Sequence, residues 1–186
     1  FTVAQLRHFA PAPAPVVSGS PRLPATVGQV NSPVTSAQPK VMLIDGHSMA
    51  YRAYYALPVD SFATATGQHT NAVFGFTSML INMLRDVAPT HVAVAFDKSR
   101  QTFRTEQDAE NKAGRSATPT EFSGQIPLIH EVLTALRIPF VEVEGFEADD
   151  IIATLTTRAE EADVDVVIVS GDRDAFQLVT DRVSLL

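Results

Sequence analysis

The sequence contains no cysteine, which excludes a disulfide framework and a zinc site built on thiolates. It also lacks a long apolar run, since no stretch approaches the roughly 18 residues that a membrane-spanning helix needs. A reducing compartment such as the cytoplasm is compatible with this composition. With 186 residues, 45% of them hydrophobic and 19% charged, the chain is long enough for one sizeable domain.

Basic residues are scarce relative to acids, because 14 Lys and Arg face 21 Asp and Glu. The first 40 residues contain no acid and carry +3, so the net charge of −7 leaves −10 on the rest of the chain. An acidic domain is a poor general binder of nucleic acid, because phosphate contacts normally come from Lys and Arg. Bound divalent cations would reverse that sign locally.

The first part of the chain has the composition of a tail. Seven of the 12 prolines fall in the first 40 residues, among Ala, Ser, Val and Thr, and no apolar periodicity persists there. We therefore predict that residues 1–39 form a Pro/Ala-rich, extended or disordered segment. The segment is either a linker or a transit peptide, and its weak Arg pattern fits a transit peptide less well. The folded domain is predicted over residues 40–186.

From Lys40 onward, strand-like and helix-like patterns alternate. The predicted strands cover 41–45, 91–96, 140–143, 165–170 and 183–186. The predicted helices cover 71–87, 118–136, 147–162 and 174–179, and Thr118 and Pro119 provide a helix start for the second of them. This alternation predicts an α/β fold with a mostly parallel sheet and right-handed crossovers.

Carboxylates follow the ends of four of the predicted strands. Because ligands of open α/β sheets bind beyond the carboxyl ends of the strands, we expect these acids to converge on one site. Each of these acids, taken alone, is also typical of a turn or a helix cap. Acids after four different strands are hard to explain by turn chemistry. The seven acids are Asp45, Asp97, Glu147, Asp149, Asp150, Asp172 and Asp174.

Clustered carboxylates repel each other and need cations, and hard oxygen ligands suit Mg²⁺ or Mn²⁺. Seven acids exceed what one Mg²⁺ requires, so the count favours two ions, which together can activate a water and stabilise a leaving oxygen. We expect Glu147 and Asp150, three residues apart, to share a helix face, while Asp149 points elsewhere.

A basic stretch lies between the second and third predicted strands. It contains Lys98, Arg100, Arg104, Lys112 and Arg115. The stretch is either a solvated loop or a mobile element that brings cations to a substrate phosphate.

Three tyrosines follow the first acid, Asp45. We expect Tyr51, Tyr54 and Tyr55 to lie on the first helix and to pack internally, and base stacking is the alternative. Arg52, on the same helix, either contacts phosphate or forms a surface ion pair.

Several phrases together resemble the 5′-nuclease (flap endonuclease) superfamily, most closely the N-terminal 5′→3′ exonuclease domain of bacterial DNA polymerase I. The phrases are Leu43-Ile44-Asp45-Gly46-His47-Ser48, Tyr51-Arg52-Ala53, Thr70-Asn71-Ala72-Val73-Phe74-Gly75-Phe76, Phe96-Asp97, Thr102-Phe103-Arg104, Lys112-Ala113-Gly114-Arg115, Gly145-Phe146-Glu147-Ala148-Asp149-Asp150 and Ser170-Gly171-Asp172-Arg173-Asp174. The resemblance extends from about Lys40 to Leu186.

The resemblance implies a PIN-like α/β nuclease with a helical arch, which uses two Mg²⁺ or Mn²⁺ ions to cut DNA at 5′ flaps or 5′ ends during replication and repair. It implies that the seven acids are metal ligands, that Lys112 and Arg115 face the scissile phosphate from the arch, and that Arg52 and Arg104 contact DNA. A monomer in the cytoplasm at the nucleoid, with a polymerase domain further along the chain, is the expected context.

Two departures from the family pattern open an alternative. Asn111 stands where an aromatic residue commonly precedes the arch lysine, and the sequence stops at Leu186, before a helix–hairpin–helix and further aspartates that the family has. The alternative is therefore a DNA-binding module that does not cut. A Mg²⁺-dependent phosphatase or receiver fold is a weaker candidate, because those folds usually place paired acids after the first strand, whereas Gly46 and His47 follow Asp45.

Overall fold

The computed structural model describes residues 38–98 and 119–186. The predicted tail, apart from its last two residues, lies outside the described residues. So do the predicted arch and the basic residues Arg100, Arg104, Lys112 and Arg115, together with Asn111.

Strands and helices alternate along the described chain, as predicted. The strands are β1 (Lys40–Asp45), β2 (His91–Asp97), β3 (Phe140–Val143), β4 (Asp165–Val169) and β5 (Val183–Leu185). The helices are α1 (Gly46–Ala56), α2 (Asn71–Val87), α3 (Thr120–Ser123), α4 (Ile126–Ala135) and α5 (Ala148–Glu161), with short 3₁₀ turns at Val59–Ser61 and Arg173–Leu178. In this part of the chain, no helix is long and apolar enough to cross a membrane.

The five strands form one parallel sheet in the order β3-β2-β1-β4-β5. The central strand β1 is buried along almost its whole length, because helices cover both faces of the sheet. Its side chains alternate between two cores: Met42 and Ile44 pack with residues of α1, α2 and α4, and Leu43 packs with residues of α5. The α/β fold with a parallel sheet is therefore confirmed.

The predicted helix over 118–136 is wrong as a single element, since the chain breaks between α3 and α4. Pro127 is the second residue of α4, where its missing N–H is harmless, but the same residue would interrupt a continuous helix. Thr118 lies outside the described residues, and Pro119 precedes α3 as its N-cap. The break turns the fully buried side chain of Gln125 toward the start of α2.

Gln125 and Asn71 form a buried polar network at the start of α2. The Gln125 Oε1 atom accepts hydrogen bonds from the backbone N–H groups of Ala72 and Val73, at 2.8 and 3.3 Å. The Gln125 Nε2 atom donates to Asn71 Oδ1 at 2.8 Å, and Asn71 Nδ2 donates to the Tyr54 carbonyl at 2.8 Å. The network satisfies N–H groups that the first turn of a helix leaves unpaired, and it joins α1, α2 and α3.

Candidate metal centre

Asp45 stands at the carboxyl end of β1 and caps the N-terminus of α1. Its Oδ1 atom accepts a hydrogen bond from Ser48 N–H at 2.9 Å, and its Oδ2 atom accepts one from the Ser170 hydroxyl at 3.2 Å. The residue is only 8% exposed, and this burial raises the pKa of its carboxyl group, with a smaller contribution from Asp97. Asp45 is therefore a partly desolvated acid held at both oxygens.

The side chain of Asp97, at the end of β2, reaches across to α5. Its Oδ1 atom accepts a hydrogen bond from the backbone N–H of Ala148 at 2.6 Å. The backbone N–H of Asp97 donates to His47 Nδ1 at 3.3 Å, and this ring nitrogen of His47 also lies 3.7 Å from Asp97 Oδ2. These contacts fix the end of β2 against the first turns of α1 and α5.

The N-terminus of α5 supplies three acids, Glu147, Asp149 and Asp150. Glu147 and Asp150 form a capping box, in which Asp150 Oδ2 accepts from Glu147 N–H at 3.1 Å. Asp149, which was expected to point elsewhere than Glu147 and Asp150, lies in the field of Asp45, Asp172 and Asp97. Burial, together with repulsion from Asp45, Asp172, Asp97 and Glu147, raises the pKa of Asp149 to about 6.

The turn after β4 carries the remaining two acids. Asp172 caps the 3₁₀ turn Arg173–Leu178, and its Oδ1 atom accepts from Asp174 N–H at 2.9 Å. Asp174 lines a shallow pocket together with Asp149 and Asp150. The carboxylates of four strand ends thus lie at one edge of the sheet, with Asp149 in the electrostatic field of three of them.

The chemistry of this site suits a hard divalent cation. The raised pKa values of Asp45 and Asp149 reflect burial and unrelieved repulsion among carboxylates, which a bound cation would remove. Over residues 38–98 and 119–186, however, no three His, Asp or Glu side chains are arranged as a ready-made metal-binding group. An open arrangement fits Mg²⁺, which usually keeps several waters and takes only one or two carboxylates.

The structure describes only one of the four predicted DNA-contacting residues. Arg52 is exposed on α1, one and a half turns after its start, while Arg104, Lys112 and Arg115 lie outside the described residues. The tyrosines were expected to pack internally. Tyr54 is buried, and Tyr51 stacks on Phe122 with ring centroids 4.0 Å apart, but Tyr55 is 71% exposed, so the prediction is wrong for Tyr55.

Ser48 and Ser170 were not among the predicted site residues, yet both bond to the predicted metal ligand Asp45. Ser48 follows the capping residue Asp45 by three positions, a spacing typical of an N-cap hydrogen bond, and this signal was available. The bond from Ser170 to Asp45 spans 125 residues and had no local signal.

A five-stranded parallel sheet, covered by helices and lined with acids at its carboxyl edge, defines a PIN-like α/β domain. A family model described as the 5′-3′ exonuclease, N-terminal resolvase-like domain, matches residues 40–186. The chain belongs to this family.

The chain is similar to bacterial DNA polymerases. The chain is 59% identical to DNA polymerase I of Mycobacterium tuberculosis (strain ATCC 25618 / H37Rv) over 150 residues, which cover 81% of this chain and 17% of that protein. It is 48% identical to DNA polymerase I of Bacillus subtilis (strain 168) over 146 residues, or 78% of this chain and 16% of the relative. The chain thus spans about one sixth of the length of these relatives.

Solved structures share the fold at low identity. The T5 D15 protein co-crystallised with metal ions matches with a TM-score of 0.59 and 21% identity, over 79% of this chain and 54% of that one. The T5 5′-exonuclease with bound zinc matches with a TM-score of 0.56, also at 21% identity and with the same coverage of both chains. At this identity the likeness supports the fold alone.

Proposed function

We propose that this chain is the N-terminal part of a metal-dependent 5′ nuclease, which hydrolyses DNA phosphodiester bonds at 5′ ends or flaps in replication and repair. The observation that carries the proposal is the convergence of Asp149 with Asp45, Asp97 and Asp172, which come from different strand ends. Membership of the 5′-3′ exonuclease family and the similarity to DNA polymerase I support the reaction class. Two Mg²⁺ or Mn²⁺ ions are the proposed cofactors.

The side chains at the sheet edge would hold these ions. Asp45 and Asp97 are oriented by hydrogen bonds from Ser48, Ser170 and Ala148, so little rearrangement is needed to present their oxygens. Asp149 and Asp172 would complete the inner set, and Glu147, Asp150 and Asp174 would hold the surrounding waters. When bound, the ions supply a nucleophile from water and stabilise charge on the phosphate.

The basic residues would position the substrate. Lys112 and Arg115 are proposed to contact the scissile phosphate and neutralise charge that develops on it, because an acidic pocket cannot orient a polyanion without cationic groups. Arg52, exposed on the helix that Asp45 caps, and Arg104 are proposed to contact the DNA backbone. A solved relative, the bacteriophage T5 D15 flap endonuclease, forms a pseudo-enzyme–product complex with DNA and metal ions, which supports a DNA substrate.

The proposed context follows the relatives. A polymerase domain further along the same polypeptide, a monomeric state and a cytoplasmic, nucleoid-associated location are all part of this proposal, since the matched proteins are DNA polymerases I.

Incubation with two labelled substrates tests the proposed function. A 5′-flap duplex and a duplex with a plain 5′ end are each incubated with the chain and Mn²⁺, and products are sized. We expect divalent-ion-dependent products from at least one substrate and none from Asp172→Ala. Asp60→Ala, which removes an exposed acid from the 3₁₀ turn Val59–Ser61, is the matched control and should leave the products unchanged.

The second candidate is a DNA-binding module that does not cleave. Asn111, which stands where an aromatic residue commonly precedes the arch lysine, favours it, because a stacking contact with the substrate would be lost. A gel-shift with the flap duplex, run beside the cleavage assay, separates the two. Binding without any product would favour the module, and product formation lost in Asp172→Ala would exclude it.

A further inference from the structure

Ser170 joins two of the acids through its single hydroxyl group. Strands β1 and β4 are neighbours with Ile44 opposite Val169, so Asp45 and Ser170 follow at adjacent strand ends. The Ser170 hydroxyl donates to Asp45 Oδ2 at 3.2 Å and accepts from Asp172 N–H at 3.1 Å. Because an ionised carboxylate only accepts and an amide only donates, the direction of both bonds is fixed.

Ser48 makes a second, parallel connection between the same elements. Its backbone N–H donates to Asp45 Oδ1 at 2.9 Å, and its hydroxyl oxygen accepts from Gly171 N–H at 2.9 Å. A Cβ atom on Gly171 would lie 2.9 Å from this hydroxyl oxygen, so a larger residue there would displace the Ser48 side chain. The turn that carries Asp172 is therefore tied to Asp45 by two independent routes.

These connections oppose a repulsion that the site creates. Ser170 and Ser48 hold the turn after β4, which carries Asp172, beside Asp45 at the same edge of the sheet, so two like charges are kept close together. Gly171 and Asp172 are exposed and lie beyond the end of β4, so the two serines supply the hydrogen bonds that connect this turn to the acid at the end of β1. Without them, repulsion would favour a turn that moves away from the other acids.

We propose that Ser170, assisted by Ser48, is a positioning residue that fixes Asp172 relative to Asp45 and so sets the affinity of the site for divalent cations. This inference rests on the proposed function, since it assumes that the acids bind such ions. Groups that orient metal ligands typically change metal affinity or activity by about 10- to 100-fold when they are removed. Their contribution to folding is smaller at a partly exposed site, where water can replace a lost hydrogen bond.

Mn²⁺ binding, followed as the free-ion signal in electron paramagnetic resonance, tests this role. Ser170→Ala is expected to weaken Mn²⁺ binding by about tenfold or more, because both of its bonds are lost. Ser170→Thr keeps the hydroxyl and should stay within about threefold of the wild type. Ser78→Ala, whose hydroxyl bonds only to the Phe74 carbonyl within α2, is the control and should bind as the wild type does. Melting in EDTA shows whether each variant is folded.

The outcomes separate this inference from the proposed function. If the wild type binds no Mn²⁺, the metal-dependent function fails, and the role of Ser170 fails with it. If the wild type binds Mn²⁺ and folded Ser170→Ala binds it equally well, only the positioning role is overturned.

If Ser170→Ala does not fold, Ser48→Ala decides the question. That change removes the bond to Gly171 and leaves the backbone bond to Asp45 in place. A loss of Mn²⁺ affinity of about threefold or more supports the positioning role, and unchanged affinity overturns it.

Discussion

The Asp97 carboxylate accepts a 2.6 Å hydrogen bond from the backbone N–H of Ala148, and this contact joins the end of β2 to the first turn of α5. The bond satisfies an N–H that the helix itself cannot pair, and it places negative charge at the positive end of the helix. It also brings Asp149, the next residue, into the field of Asp97. This contact therefore orders the site and also contributes to the repulsion among its carboxylates.

Two substitutions at Asp97 separate these effects. Asp97→Asn and Asp97→Ala both remove the charge, but only Asn keeps an oxygen that can accept from Ala148. We expect Asp97→Ala to be less stable than Asp97→Asn by about 1–2 kcal/mol in urea unfolding without metal. Equal stabilities of the two variants would show that the hydrogen bond contributes nothing.

The pH dependence of stability should report the repulsion at Asp149. Its folded-state pKa of about 6 lies above the ordinary value of 3.8, so its contribution to stability is full below 3.8 and is lost as pH rises through about 6. Because the side chain is only half-buried, solvent screening reduces the expected loss to about 1 kcal/mol. In EDTA, Asp149→Asn should therefore gain stability relative to the wild type between pH 4 and pH 7.

The matched control for this experiment is Asp60→Asn, which neutralises an exposed acid away from the strand ends. Its unfolding free energy should run parallel to that of the wild type over the same pH range. A parallel curve for Asp149→Asn as well would contradict the raised pKa.

Gly46 allows α1 to begin directly against the ring of Phe96. A Cβ atom at position 46 would overlap that fully buried ring, so Gly46→Ala should destabilise the protein by about 1–3 kcal/mol. Gly124→Ala is the control, because a Cβ there would meet the Thr120 carbonyl at an ordinary 3.7 Å. Chemical denaturation measures both changes, and similar stabilities of the two variants would contradict the packing described for Phe96.

The buried network of Gln125 should contribute strongly to the stability of the protein, although it does not contact the acids of the candidate site. Gln125→Ala leaves the Ala72 N–H and the Asn71 Oδ1 atom without their partner in the interior, which should cost about 2–3 kcal/mol of stability. Gln68→Ala removes an exposed amide and should change stability by less than about 0.5 kcal/mol. Thermal melting of both variants provides the test, and a loss no larger for Gln125→Ala would contradict the network.

The parts of the fold that depend on local pattern were predictable from the sequence. Helix α2 was predicted with its observed limits, because its apolar residues recur with helical spacing, and Phe76 and Leu80 lie in the core as expected. The region 118–136 was not predictable in the same way. There, Pro127 and the inward turn of Gln125 interrupt the helical pattern, and the bonds from Gln125 to Asn71 and Ala72 span more than 50 residues.

The residues that form the candidate site were also easier to predict than the directions in which their side chains point. Acids at strand ends follow from the α/β pattern, but which acid of Glu147, Asp149 and Asp150 faces the others depends on the capping box of α5. That box engages Glu147 and Asp150 at the helix start and leaves Asp149 facing Asp45 and Asp172. Spacing alone could not settle this, because the direction depends on how the helix meets the sheet.

The most direct measurement is the rate of cleavage of a labelled 5′-flap duplex against Mg²⁺ concentration, for the wild type and for Asp149→Asn. If the acids at the strand ends act together as a divalent-cation site, the wild type cleaves only with Mg²⁺, and folded Asp149→Asn loses at least about 100-fold of that rate at every concentration. Cleavage by Asp149→Asn at the wild-type rate, or wild-type cleavage that persists in EDTA, would contradict this account.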